Sequence, residues 1–210
     1  MKAVPFIGIS RHRLGVDGLG VTTLAAFHGC PLHCKYCLNH KCLESPDGLP
    51  AYTPEELYRF VGVDNLYFIA TGGGVCFGGG EPLLRIDFLR EFKKLCGKGW
   101  NLTLETSLNV PQEAVTAAAE VAGDFIVDIK ESDPGIYRAY TGGDARRAWD
   151  NLRHLLTLKD PAHVTVRVPL IPGFNTDDDT ARTVDRLQAM GVTRIDRFTY
   201  RTEPRSGTSL

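Results

Sequence analysis

Residues 29–39 read GCPLHCKYCLN and set Cys30, Cys34 and Cys37 in a CxxxCxxC run. Pairing any two of these thiols leaves one over, so the run suits convergence on a metal centre better than cross-linking. Pro31, with its fixed φ, helps curl the chain between the first and second cysteine. Thiolates are the usual ligands of iron–sulfur clusters, and simple clusters take four of them. Three on a four-iron cube would leave one iron open to another molecule. Two other readings of the spacing stand beside this one. Cys30, Cys34, Cys37 and Cys42 suit a four-sulfur zinc knuckle, and Cys34 with Cys37 suits a redox CxxC pair.

Outward from the run, residues 21–28 (VTTLAAFH) are apolar and β-branched, a buried strand feeding the cysteines. The preceding Asp17-Gly18-Leu19-Gly20 is a turn signal. Thr53-Pro54-Glu55-Glu56 opens a helix with an N-cap, a proline at the first position and a capping box. Residues 72–81, GGGVCFGGGE, form a short strand between glycine triplets, and a helix with Phe88, Leu89 and Phe92 on its apolar stripe follows. Strands at 101–107, 124–130, 164–171 and 194–200 alternate with helices at 111–121, about 145–158, and from Thr176 onward. Asp177, Asp178 and Asp179 face the positive end of that last helix.

These are six β-then-α units with no internal hairpin, which implies a parallel sheet covered by helices. Unit order alone admits an open doubly wound sheet or a partial barrel. Polar residues fall at strand exit after strand exit, where parallel α/β folds place their sites. The fold expected is therefore α/β, a partial (β/α)6 TIM-like barrel with outer helices, in one domain over residues 1–210.

The chain has 210 residues, enough for a full core, and a net charge of −1 with interspersed signs. It shows no polybasic footprint, so nucleic acid is not expected as a partner. Residues 1–9 lack the layout of a signal peptide and no apolar run approaches membrane-spanning length, so no membrane is expected and the reading is cytoplasmic. There thiols stay reduced. Cys76 and Cys96 lie in apolar stretches and read as core. Cys42 reads as structural. His28, His33 and His40 surround the cysteine run, where they could tune its hydrogen bonding, although surface histidine is the commoner case; His12, His154 and His163 show no ligand spacing.

Gly78-Gly79-Gly80-Glu81 lets backbone approach a ligand closely, and lacks the spacing of a dinucleotide or P-loop motif. Asp128 and Lys130, two apart, share one face of their strand. Taken with the cysteine run, these motifs resemble those of the radical S-adenosylmethionine (SAM) superfamily. Its cluster loop is CxxxCxφC, with Tyr36 here at the aromatic position. Gly79, Gly80, Glu81 and Pro82 match its GGEP strand end. The likeness is greatest to the glycyl-radical-enzyme activating family and runs from about Asp17 to Tyr200. Glu105-Thr106-Ser107 stands where that family carries Asp-Thr-Xaa-Gly, with Glu105 for the aspartate and Asn109 for the glycine. Asp128-Ile129-Lys130 matches its Asp-Leu-Lys. Residues 137–152 resemble its Thr-Gly stretch before a helix, and residues 166–175, VRVPLIPGFN, resemble its Arg-Val-Pro-Xaa-Ile-Pro-Gly-Xaa-Asn run. Phe198-Thr199-Tyr200-Arg201 departs from its Pro-Tyr-His, and Leu19 replaces a proline.

The resemblance implies a [4Fe-4S] cluster on Cys30, Cys34 and Cys37, with SAM chelating the fourth iron. It implies cofactor contacts at Tyr36, Gly79, Gly80, Glu81, Glu105, Asp128, Lys130 and Arg167, and a monovalent cation beside the SAM carboxylate. An electron from the cluster would cleave SAM to a 5′-deoxyadenosyl radical. The implied partners are a glycyl-radical enzyme or a peptide as hydrogen donor, and reduced flavodoxin or ferredoxin as electron donor. The short span between Cys37 and Gly79 implies the compact type without a ferredoxin-like insert.

Overall fold

The computed structural model describes residues 2–200. Six strands alternate with helices as their apolar runs dictate: β2 (Val21–Phe27), β4 (Gly74–Gly79), β5 (Asn101–Thr106), β6 (Asp124–Asp128), β7 (Val164–Leu170) and β8 (Arg194–Thr199). They lie side by side in that order, and every neighbouring pair is parallel. A doubly wound sheet needs a reversal of strand order. None occurs among these strands, so right-handed crossovers carry the helices to one face and the sheet curls. That is the partial barrel.

The expectation of no internal hairpin is corrected. β1 (Val4–Leu14) pairs antiparallel with β2, and the two-residue β3 (Ala51–Tyr52) pairs antiparallel with β1. The pairing of β1 shifts register between Phe6 and Gly8 and again between Ser10 and Arg13, with His12 at φ 56°. These irregularities break the period-two pattern by which a strand is read.

Between β2 and β4 run α1 (Pro54–Val61) and α2 (Asn65–Thr71). Thr53 caps α1 with the expected reciprocal bonds to Glu56. After β4 come α3 (Ile86–Cys96), then α4 (Gln112–Val121) behind β5, and α5 (Pro134–Thr141) with α6 (Ala145–Leu158) behind β6. α7 (Asp177–Ala189) starts on a capping box between Thr176 and Asp179.

Side-chain alternation divides each inner strand. Val75 and Phe77, Leu102 and Leu104, Phe125 and Val127, and Val164, Val166 and Val168 point outward and build the core with the helices. Phe27 stacks on Phe77 at 5.3 Å between ring centroids, and Phe88 meets Phe27 edge-on at 5.4 Å. Burying each such side chain contributes about 1.5–3 kcal/mol. Cys76 and Cys96 are buried free thiols, as expected. The opposite parity, Glu105, Asp128, Arg167 and Asp196, faces the barrel interior and lines its cleft.

Candidate active site

A cleft of about 340 Å³ opens at the carboxyl ends of the parallel strands. Cys30, Cys34 and Cys37 line it, together with Gly79, Gly80, Glu81, Glu105, Asp128, Lys130 and Arg167. The structure thus brings ten of the expected site residues to one space. Tyr36 is the exception. Its ring packs against Phe174 and Tyr140, 5.7 and 6.0 Å away between centroids, and its hydroxyl donates to the Pro172 carbonyl at 3.3 Å. It ties the cysteine loop to the turn after β7 and does not line the cleft. None of the histidines lines it either.

The loop is held by backbone. Gly80 N–H donates to Phe27 O at 2.9 Å and Glu81 N–H to Gly29 O at 2.8 Å, so the exit of β4 is stitched to the entry of the cysteine run. A Cβ on Gly80 would stand 2.2 Å from the Gly29 carbonyl oxygen. Glycine is required there by that close approach, and at Gly79 also by a φ of +80°. On the other side His33 N–H donates to Thr141 O at 2.8 Å and Lys35 N–H to Tyr140 O at 3.0 Å.

The thiols differ. Burial pushes Cys34 up to about 11. A hydrogen bond from the Cys42 thiol brings Cys37 down to about 6 and lowers Cys30 as well. Among the described residues no group of three or more His, Cys, Asp and Glu side chains is arranged to hold one metal ion. The three thiols on the cleft instead suit separate irons of a cluster, and their donor chemistry fits it.

Glu81 is 2% exposed, and burial raises its pKa against the hydrogen bonds that lower it. Its carboxylate accepts from Thr106 Oγ1 and Ser107 Oγ, both at 2.7 Å, from Ser107 N–H at 3.0 Å and from Leu83 N–H at 3.2 Å. The hydroxyl donors can rotate away, so the carboxylate is filled but exchangeable. Thr106 and Ser107 also line the cleft, as support for Glu81.

Lys130 Nζ sits 2.8 Å from Asp128 Oδ2 and 5.3 Å from the Tyr200 ring centroid. Burial works against the ammonium, yet Asp128, Tyr200 and Cys34 outweigh it and hold Lys130 charged. Asp128 Oδ1 is buried without a hydrogen-bond partner. An orphaned acceptor facing a cleft fits a cationic ligand such as SAM. Arg167 Nη1 meets Glu105 Oε1 at 2.6 Å, and its Nη2 donates to Val16 O at 2.9 Å. Burial raises the pKa of Glu105 and Arg167 pulls it down. Asp128 Oδ2 and Glu105 Oε1 thus each hold a cationic side chain, and Asp128 Oδ1 is the acceptor left over.

Asp196 lines the cleft without having been singled out, and Phe198 and Tyr200, marked only as part of the C-terminal departure, line it too. Asp196 has a sequence signal, its place two residues before Phe198 on the strand parity that faces inward. The expected C-terminal departure ends at Arg201, which lies outside the described residues.

Comparison with known proteins adds the family. A model described as the Radical SAM superfamily matches residues 25–187. Pyruvate formate-lyase 2-activating enzyme of Escherichia coli (strain K12) is 27% identical over 218 residues, covering 89% of this chain and 74% of its own. Pyruvate formate-lyase-activating enzyme of Staphylococcus aureus (strain USA300) is 30% identical over 171 residues, covering 78% and 67%. Among solved structures, Streptococcus suis SuiB bound to S-adenosylmethionine has a TM-score of 0.64 at 15% identity. That match covers 85% of this chain and 40% of SuiB, and it is a likeness of fold. Matches of this reach exclude the zinc knuckle and the redox pair, and the chain belongs to the radical SAM superfamily, within its glycyl-radical-enzyme activating family.

Proposed function

We propose that this enzyme cleaves SAM reductively at a [4Fe-4S] cluster to a 5′-deoxyadenosyl radical and takes hydrogen from a glycine of a partner glycyl-radical enzyme. One observation carries the reading: the three thiols, the Gly79-Gly80-Glu81 strand end and the Asp128, Lys130 and Arg167 charges share one cleft. In this reading Cys30, Cys34 and Cys37 would hold the cluster as thiolate ligands, leaving one iron for SAM. When bound, the cluster supplies the electron and SAM the radical.

The chain's own residues bind and orient. The backbone of Gly79 and Gly80 receives the methionyl amino group, and Glu81 exchanges a hydroxyl bond for a charge-assisted one. Asp128 Oδ1 is the free acceptor for a cationic group. Lys130 and Arg167 offer positive charge to the SAM carboxylate, and Glu105 fixes the Arg167 fork. Hydrogen-atom transfer needs no general base, so placement of the glycine within reach of the cleft dominates. Tyr36 acts by holding the loop.

The finer parts of the proposal are the donor, the place and the extent. Reduced flavodoxin or ferredoxin supplies the electron in the cytoplasm. Residues 1–210 are one radical SAM core domain; the direct path from Cys37 through α1 and α2 to β4, with no inserted unit, supports this. No described helix is long and apolar enough to cross a membrane.

The test is anaerobic. Reconstituted enzyme with SAM and dithionite is expected to form 5′-deoxyadenosine, and Cys34→Ala to form none. Incubation with a glycyl-radical enzyme from the same genome is then expected to give a glycyl-radical EPR signal on that partner. No 5′-deoxyadenosine from cluster-loaded wild type would sink the reading. Product without a glycyl signal, but with a modified peptide, would move the target.

A further inference from the structure

The cysteine run has a second side. Lys35 stands between Cys34 and Cys37 in sequence, yet it is exposed and does not line the cleft. The loop thus turns one side to the cleft and the other to solvent. His33 N–H and Lys35 N–H bond to Thr141 O and Tyr140 O, which seats the loop on the last turn of α5. Leu32 packs on Gly143 too closely to leave room for a Cβ there, so the start of α6 belongs to the same face. Exposed cations gather on it: Lys35 and Lys41 on the loop, Arg138 on α5, Arg146 and Arg147 on α6.

Residues 31–44 and 137–147 hold these five cations against two carboxylates, Glu44 and Asp144, in a chain whose net charge is −1. Asp144 is taken up in capping α6, accepting from Arg146 N–H at 3.0 Å, and Glu44 stands 3.6 Å from His40. Among the described residues none of the five cations is held in a salt bridge. Arg90, Lys94, Arg153 and Arg182, by contrast, each sit on a carboxylate of the chain itself. Cations without an internal partner keep their field for something outside. The enzyme has two partners to meet, one giving hydrogen and one giving an electron. The hydrogen donor has to enter the cleft, and none of the five cations lines it. An electron can arrive through the outer side of the loop while the cleft stays filled.

We propose that the outer face of the cysteine loop, centred on Lys35 and Arg138, docks an acidic electron-donor protein. The proposal rests on the cluster reading above. The donor is oxidised by one electron, which passes to the cluster, and no bond is made or broken in the docked pair. The cations act by steering. They draw donor and loop together at long range, and they weaken as salt screens them.

The test reads binding apart from chemistry. Oxidised flavodoxin, an acidic probe, is titrated onto reconstituted wild type, Lys35→Glu, Arg138→Glu and the double variant, at low and at high salt. Wild type is expected to bind it, less tightly as salt rises. The double variant is expected to bind about 10-fold more weakly at low salt, with a shallower salt dependence. 5′-Deoxyadenosine formation driven by limiting reduced flavodoxin should fall alike, while formation driven by dithionite stays at the wild-type rate. A double variant that binds as wild type does at low salt overturns the proposal. So does a wild type that binds neither flavodoxin nor an acidic ferredoxin, or binds them indifferently to salt. A fall in the dithionite-driven glycyl-radical yield on the partner enzyme also overturns it, because the face then serves the hydrogen donor. If charge reversal costs the double variant its iron, Lys35→Gln with Arg138→Gln decides by the same comparison. Failure of the underlying reading shows separately, as wild type that forms no 5′-deoxyadenosine with dithionite.

Discussion

At Gly80 one methyl group decides whether the cysteine loop can reach its strand. A Cβ there would collide with the Gly29 and Phe27 carbonyls, and both backbone bonds joining loop to strand would part. Gly80→Ala is expected to cost about 2–5 kcal/mol, from two buried backbone groups left unpaired. Urea denaturation of the apoprotein measures that cost, and the iron taken up on reconstitution is expected to fall with it. Arg167 offers a contrasting case, in which charge persists but shape is lost. Arg167→Lys keeps a cation and gives up the fork that spans Glu105 and Val16. SAM affinity is expected to drop ~10-fold to ~100-fold, about 1.5–3 kcal/mol for a charged hydrogen bond, as read by equilibrium binding to the loaded enzyme. The site residues were legible because their motifs are local in sequence. What was not legible was their mutual use. Nothing in the string says that Glu105 holds Arg167, or that Thr106 and Ser107 fill Glu81, since those pairs form only when separate strands come side by side.

Among the elements, β1 shows how packing overrides pattern. Its charged stretch Ser10-Arg11-His12-Arg13 does not read as a strand, yet it folds as one because Asp64 waits beside it. Arg11 makes two bonds of 2.6 Å to that carboxylate, and His12 Nε2 lies 2.8 Å from it. The Arg11 bonds hold Asp64 below its ordinary value of 3.8. A carboxyl with a lowered folded pKa stabilises above its unfolded pKa and loses that contribution as pH falls through the folded one. Asp64→Asn is therefore expected to lower the urea midpoint at neutral pH. The gap from wild type should narrow only as pH drops below about 3.8, and urea titrations across that range check it. The helices were easier to read. Thr53 with Glu56 and Thr176 with Asp179 make the capping boxes their spacing announces. α2 was missed because Leu66, Tyr67 and Ile69 are exposed on it, so its apolar residues mark no buried stripe.

In the whole molecule, the six parallel strands, their polar exits and the partial barrel were legible, and the antiparallel edge of β1 and β3 was not. Unit order alone left an open sheet and a curled one equal; the polar strand exits favoured the curled one, and the neighbour order in space agrees. Among the described residues the sheet ends at β8, five of whose six residues are exposed. Its amides are expected to exchange fastest of the six parallel strands, and those of β4 and β5, flanked on both sides, slowest. Hydrogen exchange followed strand by strand measures this ranking. The same arrangement bears on synthesis. A parallel pair has to wait for the whole crossover between its strands, whereas β1 and β2 pair across a short turn as soon as both exist. From β2 on, each new strand docks against the strand made just before it. A chain leaving the ribosome can thus lay down its sheet from one growing edge, with the cysteine loop emerging directly after its first template.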